Sequence, residues 1–116
     1  MTITIEAFTG AETVGTTEWS MTTDSSGPDA ETTAGVFAAL LDLNAVAAGD
    51  TFRFAVYEKC RTGDTQRTVY TAEITGAQSA PLWASPSLFL GVGWDMTLKK
   101  IAGTDRAINW RISKVA

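Results

Sequence analysis

The chain has 116 residues, of which 45% are hydrophobic and 19% charged, a composition typical of one globular domain over 1–116. It contains no histidine and a single cysteine, Cys60, which excludes a Ser-His-Asp triad, a His-ligated metal site and an internal disulfide. The net charge of −4 argues against a nucleic-acid partner, because neutralising phosphates requires clustered Lys and Arg.

The charge is divided unevenly along the chain. Residues 1–50 carry eight acidic residues and no basic ones, whereas residues 51–116 carry nine basic and five acidic residues, so the halves are −8 and +4. Two arrangements remain open. Strands from the two halves interleave in one sheet and mix their charges, or the fold has an acidic and a basic face that help copies meet each other or a charged lattice.

The beginning of the chain shows no targeting signal. Residues 2–6 alternate between polar and apolar, in place of the positive start and apolar stretch of a signal peptide. No run of about 18 apolar residues occurs, so no membrane-spanning segment is predicted. We therefore expect a protein assembled in a bacterial-type cytoplasm, without a membrane partner.

In chain order, the first half predicts strands separated by loops, because apolar and polar residues alternate with a period of two. A first strand starts at Thr2, and Thr9–Ala11 together with Gly15 mark its end. A short strand follows around residues 18–22, and Ser25–Asp29 forms a loop. The alanine-rich stretch 28–48 permits a helix or a strand. Alternating apolar residues favour a strand over 34–43, with at most a short helical turn near 44–48.

The second half predicts two β-hairpins. Strands near 51–60 and 66–75 are separated by Arg61–Thr65, and strands near 94–101 and 107–115 by Ala102–Arg106. A glycine in each turn supplies the positive φ that such turns require. Eighteen threonines favour β-structure further. The predicted fold is an all-β, antiparallel β-sandwich, either Ig-like or jelly-roll.

The four tryptophans fall into two groups. Trp19, Trp94 and Trp110 are in phase with the buried residues of their strands and are expected in the core. Trp83 follows Leu82 between two prolines, outside any alternating run. This pair either folds over the end of the sandwich or contacts a partner, and it is the best interface candidate in the sequence.

The polar residues predict no reactive site. The carboxylates of Asp24, Asp29 and Glu31 lack the spacing of an EF-hand calcium site or of a catalytic pair, so we interpret them as turn-capping groups. Cys60, at a strand end, is expected to be a free thiol. We thus predict no catalytic, metal-binding or cofactor-binding residue and no cofactor, and expect that the protein is not an enzyme.

Six segments between about 41 and 115 share a pattern of strand and turn positions without a chemical motif. They are Leu41–Leu43, Gly49–Lys59, Thr75–Gln78, Gly93–Leu98, Ala102–Arg106 and Ile108–Trp110. Together these segments resemble small proteins encoded in the structural gene modules of tailed double-stranded DNA bacteriophages.

The resemblance implies a structural protein of the virion, most economically a capsid decoration (cement) protein on the head shell. Its partners would be copies of itself, in a trimer or another symmetric oligomer, and the major capsid protein. A tail or head-completion component is the alternative, and a carbohydrate-binding module is a third hypothesis. The predicted interface residues are Ile3, Ile5, Leu82 and Trp83, with the first strand at a sheet edge or exchanged with another copy.

Overall fold

The computed structural model describes residues 2–115, which form two antiparallel β-sheets packed on each other. The strands are β1 (Ile3–Val14), β2 (Trp19–Ser20), β3 (Ser25–Ser26), β4 (Gly35–Asp42), β5 (Thr51–Glu58), β6 (Arg67–Thr75), β7 (Leu82–Ala84), β8 (Leu88–Leu90), β9 (Asp95–Ala102) and β10 (Arg106–Val115). The predicted all-β sandwich is confirmed. The part of the chain described here contains no helix long and apolar enough to cross a membrane.

Each sheet combines strands from both halves of the chain. Sheet A has the order β1-β10-β4-β7, with β8 also pairing with β4, and sheet B has the order β3-β2-β9-β5-β6. The basic strand β10 lies between β1 and β4, which belong to the acidic half. The charges of the two halves therefore interleave in sheet A. As predicted, β1 lies at a sheet edge.

The core forms where the inward-facing positions of both sheets meet. The predicted inward residues of β9 and β10 are buried, and at the centre the rings of Phe37 and Trp94 lie 4.3 Å apart. Each buried indole donates a hydrogen bond to a backbone carbonyl, Trp94 to Thr33 at 2.9 Å and Trp110 to Met21 at 3.0 Å. These bonds satisfy the one polar atom that each ring would otherwise bury unpaired.

The prediction that β1 ends near Thr9–Ala11 is wrong. The strand runs on to Val14, and Gly15 marks its end. Gly10 pairs directly with Trp110, and a Cβ at Gly10 would lie 2.8 Å from the Cε2 atom of that indole. Gly10 is therefore a place where the backbone must approach a large ring, and a glycine with this role looks in the sequence like one that ends a strand.

A buried carboxylate ties the turn after β4 to the second hairpin. The strand predicted over 34–43 is confirmed as β4, and a turn follows it. Asp50 then accepts hydrogen bonds from the amides of Ala47 at 2.9 Å and Thr104 at 3.0 Å, and from Nε of Arg106 at 2.7 Å. These donors hold the pKa of the Asp50 carboxyl at about 2. Gly103 has a φ of 91° and lies against Asp50, so a side chain at this position would collide with the Asp50 carboxylate.

Two positions around tryptophans differ from the sequence-based expectation. Leu82 and Trp83 lie in a short strand, β7, and not outside an alternating run, so their side chains point to opposite faces. Trp19 is only half-buried, since its indole donates to Asp24 at 2.9 Å while the ring packs against the core. Its neighbour Ser20, expected to face solvent, is fully buried.

Candidate interaction surface

The outer side of sheet A carries apolar residues at positions where a solvent-facing sheet normally carries polar ones. On β4 the residues Phe37, Ala39 and Leu41 point into the core, so the alternate residues Val36, Ala38 and Leu40 point outward. We call the outward-pointing residues of β1, β10, β4, β7 and β8 the outer face of sheet A. Its residues form rows that run across the strands, because neighbouring strands pair in register.

One row of this face is entirely apolar. Ile3, Val115, Val36 and Phe89 are consecutive cross-strand partners on β1, β10, β4 and β8. Phe89 is 88% exposed and Ile3 is 57% exposed, whereas the two middle residues are half-buried. The row therefore presents two large exposed side chains at its ends.

The two charged residues Arg111 and Asp42 lie at the end of this face that is opposite the apolar row. A second row reads Thr9, Arg111, Leu40 and Ala84, and a third reads Ala11, Asn109, Asp42 and Leu82. Arg111 and Asp42 thus lie on adjacent strands, two residues apart along the strand direction. Arg111 is exposed and forms none of the ion pairs found within residues 2–115. Asp42 accepts only a short-range bond from the Asn44 amide, at 3.0 Å.

A groove lies beside the apolar row. Its volume is about 600 Å³, and its walls include Gly35, Val36, Leu90, Val92 and Val115, with the exposed Phe89 at its border. Glu58, Lys59 and Cys60 complete the lining on the side of β5. The groove and the apolar row share Val36, Val115 and Phe89, so they form one continuous surface at this end of the sandwich.

The middle of the outer side of sheet B contrasts with sheet A because polar groups of the chain cover it, whereas the edge strand β6 stays exposed. Ala55 and Thr97 point outward from the middle of sheet B, yet both are buried. The Glu18 carboxylate lies over them and accepts hydrogen bonds from the hydroxyls of Thr97, at 2.6 Å, and Tyr57. Burial and the bond to Glu18 raise the pKa of the Tyr57 hydroxyl.

The residues predicted to form an interface lie at different depths of this surface. Ile3 and Leu82 occupy opposite corners of the outer face of sheet A, the latter 61% exposed. Ile5, 51% exposed, lies in the irregular stretch of β1 between Thr4 and Phe8.

The Trp83 ring points the other way, toward the core, where its centroid lies 5.2 Å from that of Phe54. It is only partly exposed. A partner contact through Trp83 stays a prediction.

Sequence reasoning missed Phe89, which has the most exposed large apolar side chain among residues 2–115. The available signal was the run Gly35–Leu41, which is apolar on both faces of the strand. Such a run is typical of a strand covered on both sides. In the described chain the second side of β4 has no cover.

The carboxylates of Asp29 and Glu31 accept hydrogen bonds from neighbouring residues of the same loop segment, 23–33. Asp29 accepts from the Thr23 hydroxyl at 2.6 Å and Glu31 from the Thr33 hydroxyl at 2.7 Å. No group of three metal-ligating side chains occurs in residues 2–115.

The loop is anchored by Asp95, which accepts from the Asp29 amide and from the Thr22 hydroxyl, both at 2.8 Å. Burial raises the pKa of the Asp95 carboxyl. Cys60 is exposed and free, just beyond β5.

Comparison of the chain with protein-family models, with curated proteins and with solved structures finds no match in any of the three. The arrangement of the site itself must therefore carry the functional argument.

Proposed function

We propose that this chain is a structural protein of a tailed-phage virion, and within that class a capsid decoration protein that binds the head shell. The observation that carries the proposal is the open apolar outer face of sheet A. Four strands spaced by about 4.8 Å and seven residues rising by about 3.3 Å each give this face a projected area of roughly 400 Å². A face of this size that carries the exposed apolar side chains of Ile3, Leu82 and Phe89 is a candidate interaction site.

The β-sandwich fold suits a structural protein that attaches to other proteins through its surface. Two sheets close on a core with aromatic groups at its centre, and short turns connect the long hairpins. Such a sandwich presents flat faces and strand edges at fixed positions, which is what repeated attachment to a symmetric shell requires. The resemblance of 41–115 to proteins of phage structural modules supports the same class.

The buried tryptophans weigh against the carbohydrate-binding hypothesis. Sugar recognition by stacking is served by a platform of exposed aromatic faces, whereas Trp94 is 0% and Trp110 4% exposed, and Phe89 is the single strongly exposed aromatic ring among residues 2–115. A tail or head-completion role uses the same surface chemistry as a decoration role, and location on the particle separates the two.

The experiment is a composition analysis of purified particles from a phage that encodes this chain. Heads and tails are separated on a density gradient, and peptides of the chain are quantified against the major capsid protein in each fraction. We expect the chain in the head fraction, in a fixed ratio to the capsid protein. Enrichment with tails would select the alternative role, and absence from washed particles would refute the proposal.

A binding measurement complements the composition analysis. Purified chain is mixed with heads that lack it and is sedimented with them, with separated tails as the matched control. We expect saturable sedimentation with heads only. Equal sedimentation with tails, or none with either, would contradict a shell-binding role.

A further inference from the structure

We propose that the outer face of sheet A binds the same face of a second copy of this chain, with a two-fold axis parallel to the strands between β4 and β10. This inference concerns the free protein, in which the second copy covers the face that the proposed function assigns to the head shell, so attachment to the shell would separate the dimer. The order of residues in the three rows and the positions of the two charged residues, Arg111 and Asp42, support this arrangement.

The apolar row matches itself under that symmetry. A two-fold axis parallel to the strands reverses the order of the strands but keeps each row at its own level. Phe89 of one copy then lies over Ile3 of the other, and Val36 lies over Val115. Each exposed end of the row meets apolar surface, and sheets that stack in this way lie about 10 Å apart.

The charges match under the same operation. Arg111 on β10 then lies over β4 of the second copy, next to Asp42, and each dimer contains this pair twice. Within one chain, neither side chain forms an ion pair in the described residues.

An axis perpendicular to the strands, still in the plane of the sheet, would instead place Asp42 on the apolar row. Burying a carboxylate there without a partner is costly. The charge pattern thus selects the axis parallel to the strands.

The available area suits a weak dimer. Two faces of roughly 400 Å² give about 800 Å² in projection, to which the protruding Phe89 and Leu82 side chains add, so the contact belongs with the small, weak interfaces below about 1,200 Å². The groove beside Phe89 adds apolar surface at the border of the contact. Phe89 is expected to contribute most, because large aromatic groups that become fully buried dominate such interfaces.

The first test measures mass by sedimentation and light scattering, from about 1 µM to 1 mM protein, since dimer content depends on concentration. We expect a transition from 12.3 kDa to twice that mass. Phe89→Ser should weaken dimerisation by about 30-fold or more. The matched control is Val69→Ser, which removes a 50% exposed apolar side chain from β6 of sheet B and should change the affinity less than about twofold.

The second test reverses the two charges. Arg111→Asp alone and Asp42→Arg alone should each weaken the dimer, since like charges then meet twice in each interface. An equimolar mixture of the two variants should dimerise as the wild-type protein does, because every pair in the mixed dimer again joins opposite charges. Circular dichroism and thermal melting of each variant confirm that it is folded.

The outcomes separate this inference from the proposed function. A chain that stays monomeric at all concentrations, or a dimer that neither Phe89→Ser nor the charge reversals weaken, overturns the dimer. So does a mixture that stays monomeric. A monomer that loses head binding on Phe89→Ser shows that the shell covers this face, which overturns the dimer and supports the virion role. A confirmed dimer that is absent from particles leaves the dimer and refutes the virion role.

Discussion

The contact between Gly10 and Trp110 gives the most direct test of how sheet A is assembled. The perturbation is Gly10→Ala, one added methyl group in the middle of β1. The new Cβ would lie 2.8 Å from Cε2 of the indole, whereas carbon atoms pack at about 3.5–4.0 Å. Cζ2 of the ring would lie closer still, so the ring must retreat by more than about 1 Å in a part of the core where it is 4% exposed.

The expected cost follows from three contributions. Overpacking a core site destabilises by about 1–3 kcal/mol. Movement of the ring also stretches the 3.0 Å hydrogen bond from Trp110 to the Met21 carbonyl, whose loss costs about 1 kcal/mol. Replacing glycine also reduces the entropy of the unfolded chain, which raises the free energy of unfolding by about 0.4–1 kcal/mol. We therefore expect Gly10→Ala to lower the free energy of unfolding by about 2 kcal/mol.

The assay is urea denaturation followed by far-UV circular dichroism. With a slope of about 1–3 kcal/mol/M, the midpoint should fall by about 1 M while the slope is unchanged. The near-UV spectrum should change as well, because the indole moves. Thr9→Ala, at the neighbouring outward-facing position of β1, is the control and should change stability by less than about 0.5 kcal/mol.

A double-mutant cycle shows whether the indole is the cause. In a Trp110→Phe background the ring is smaller, so the added methyl group should be tolerated, and the coupling energy should exceed about 1 kcal/mol. If Gly10→Ala were as stable as the wild-type protein and left the near-UV spectrum unchanged, the pairing of β1 with β10 would be wrong.

Two further predictions concern stability. The low pKa of Asp50, about 2 against an ordinary 3.8, means that its carboxylate stabilises the fold above about pH 4 and that this contribution is lost as the pH falls through 2. Asp50→Asn should therefore be less stable at pH 7 and vary less with pH between 4 and 2, measured as urea midpoints; an unchanged pH dependence would contradict this. Phe37→Ala should cost about 3–5 kcal/mol at every protein concentration, since it empties a fully buried site. Phe89→Ala, which removes an equal side chain from the outer face, should cost under about 0.5 kcal/mol in dilute, monomeric protein, and equal costs would refute the assignment of the two faces.

Local alternation predicted the long strands because burial of one face imposes a period of two on the residues of each strand. Phe37, Ala39 and Leu41 illustrate this, since their spacing alone indicated a strand in an alanine-rich stretch, and all three are buried. The same local rule was not sufficient at Gly10, where a glycine that makes room for Trp110 looks like a glycine that ends a strand. The residues around Gly10 do not indicate that its backbone lies against Trp110, which is a hundred residues away in the sequence.

The candidate surface was predictable in part. The sequence predicts Ile3, near the chain start, and Leu82, between two prolines, as interface residues, and both are exposed on the outer face of sheet A. Phe89 was not identified, because β8 is only three residues long and shows no period.

The amino-acid sequence by itself determined the class of fold, the strands and turns of both hairpins, and which side of β4, β5, β6, β9 and β10 is buried. These properties depend on neighbours one to five residues away, which share the same local geometry. Only the tertiary structure decided that Ile3, Val115, Val36 and Phe89 form one row, and that the middle of sheet B is covered on its outer side while sheet A leaves its outer side open. Strand order and register are fixed by packing between distant segments, so a surface built across strands exists only once the sheets have formed.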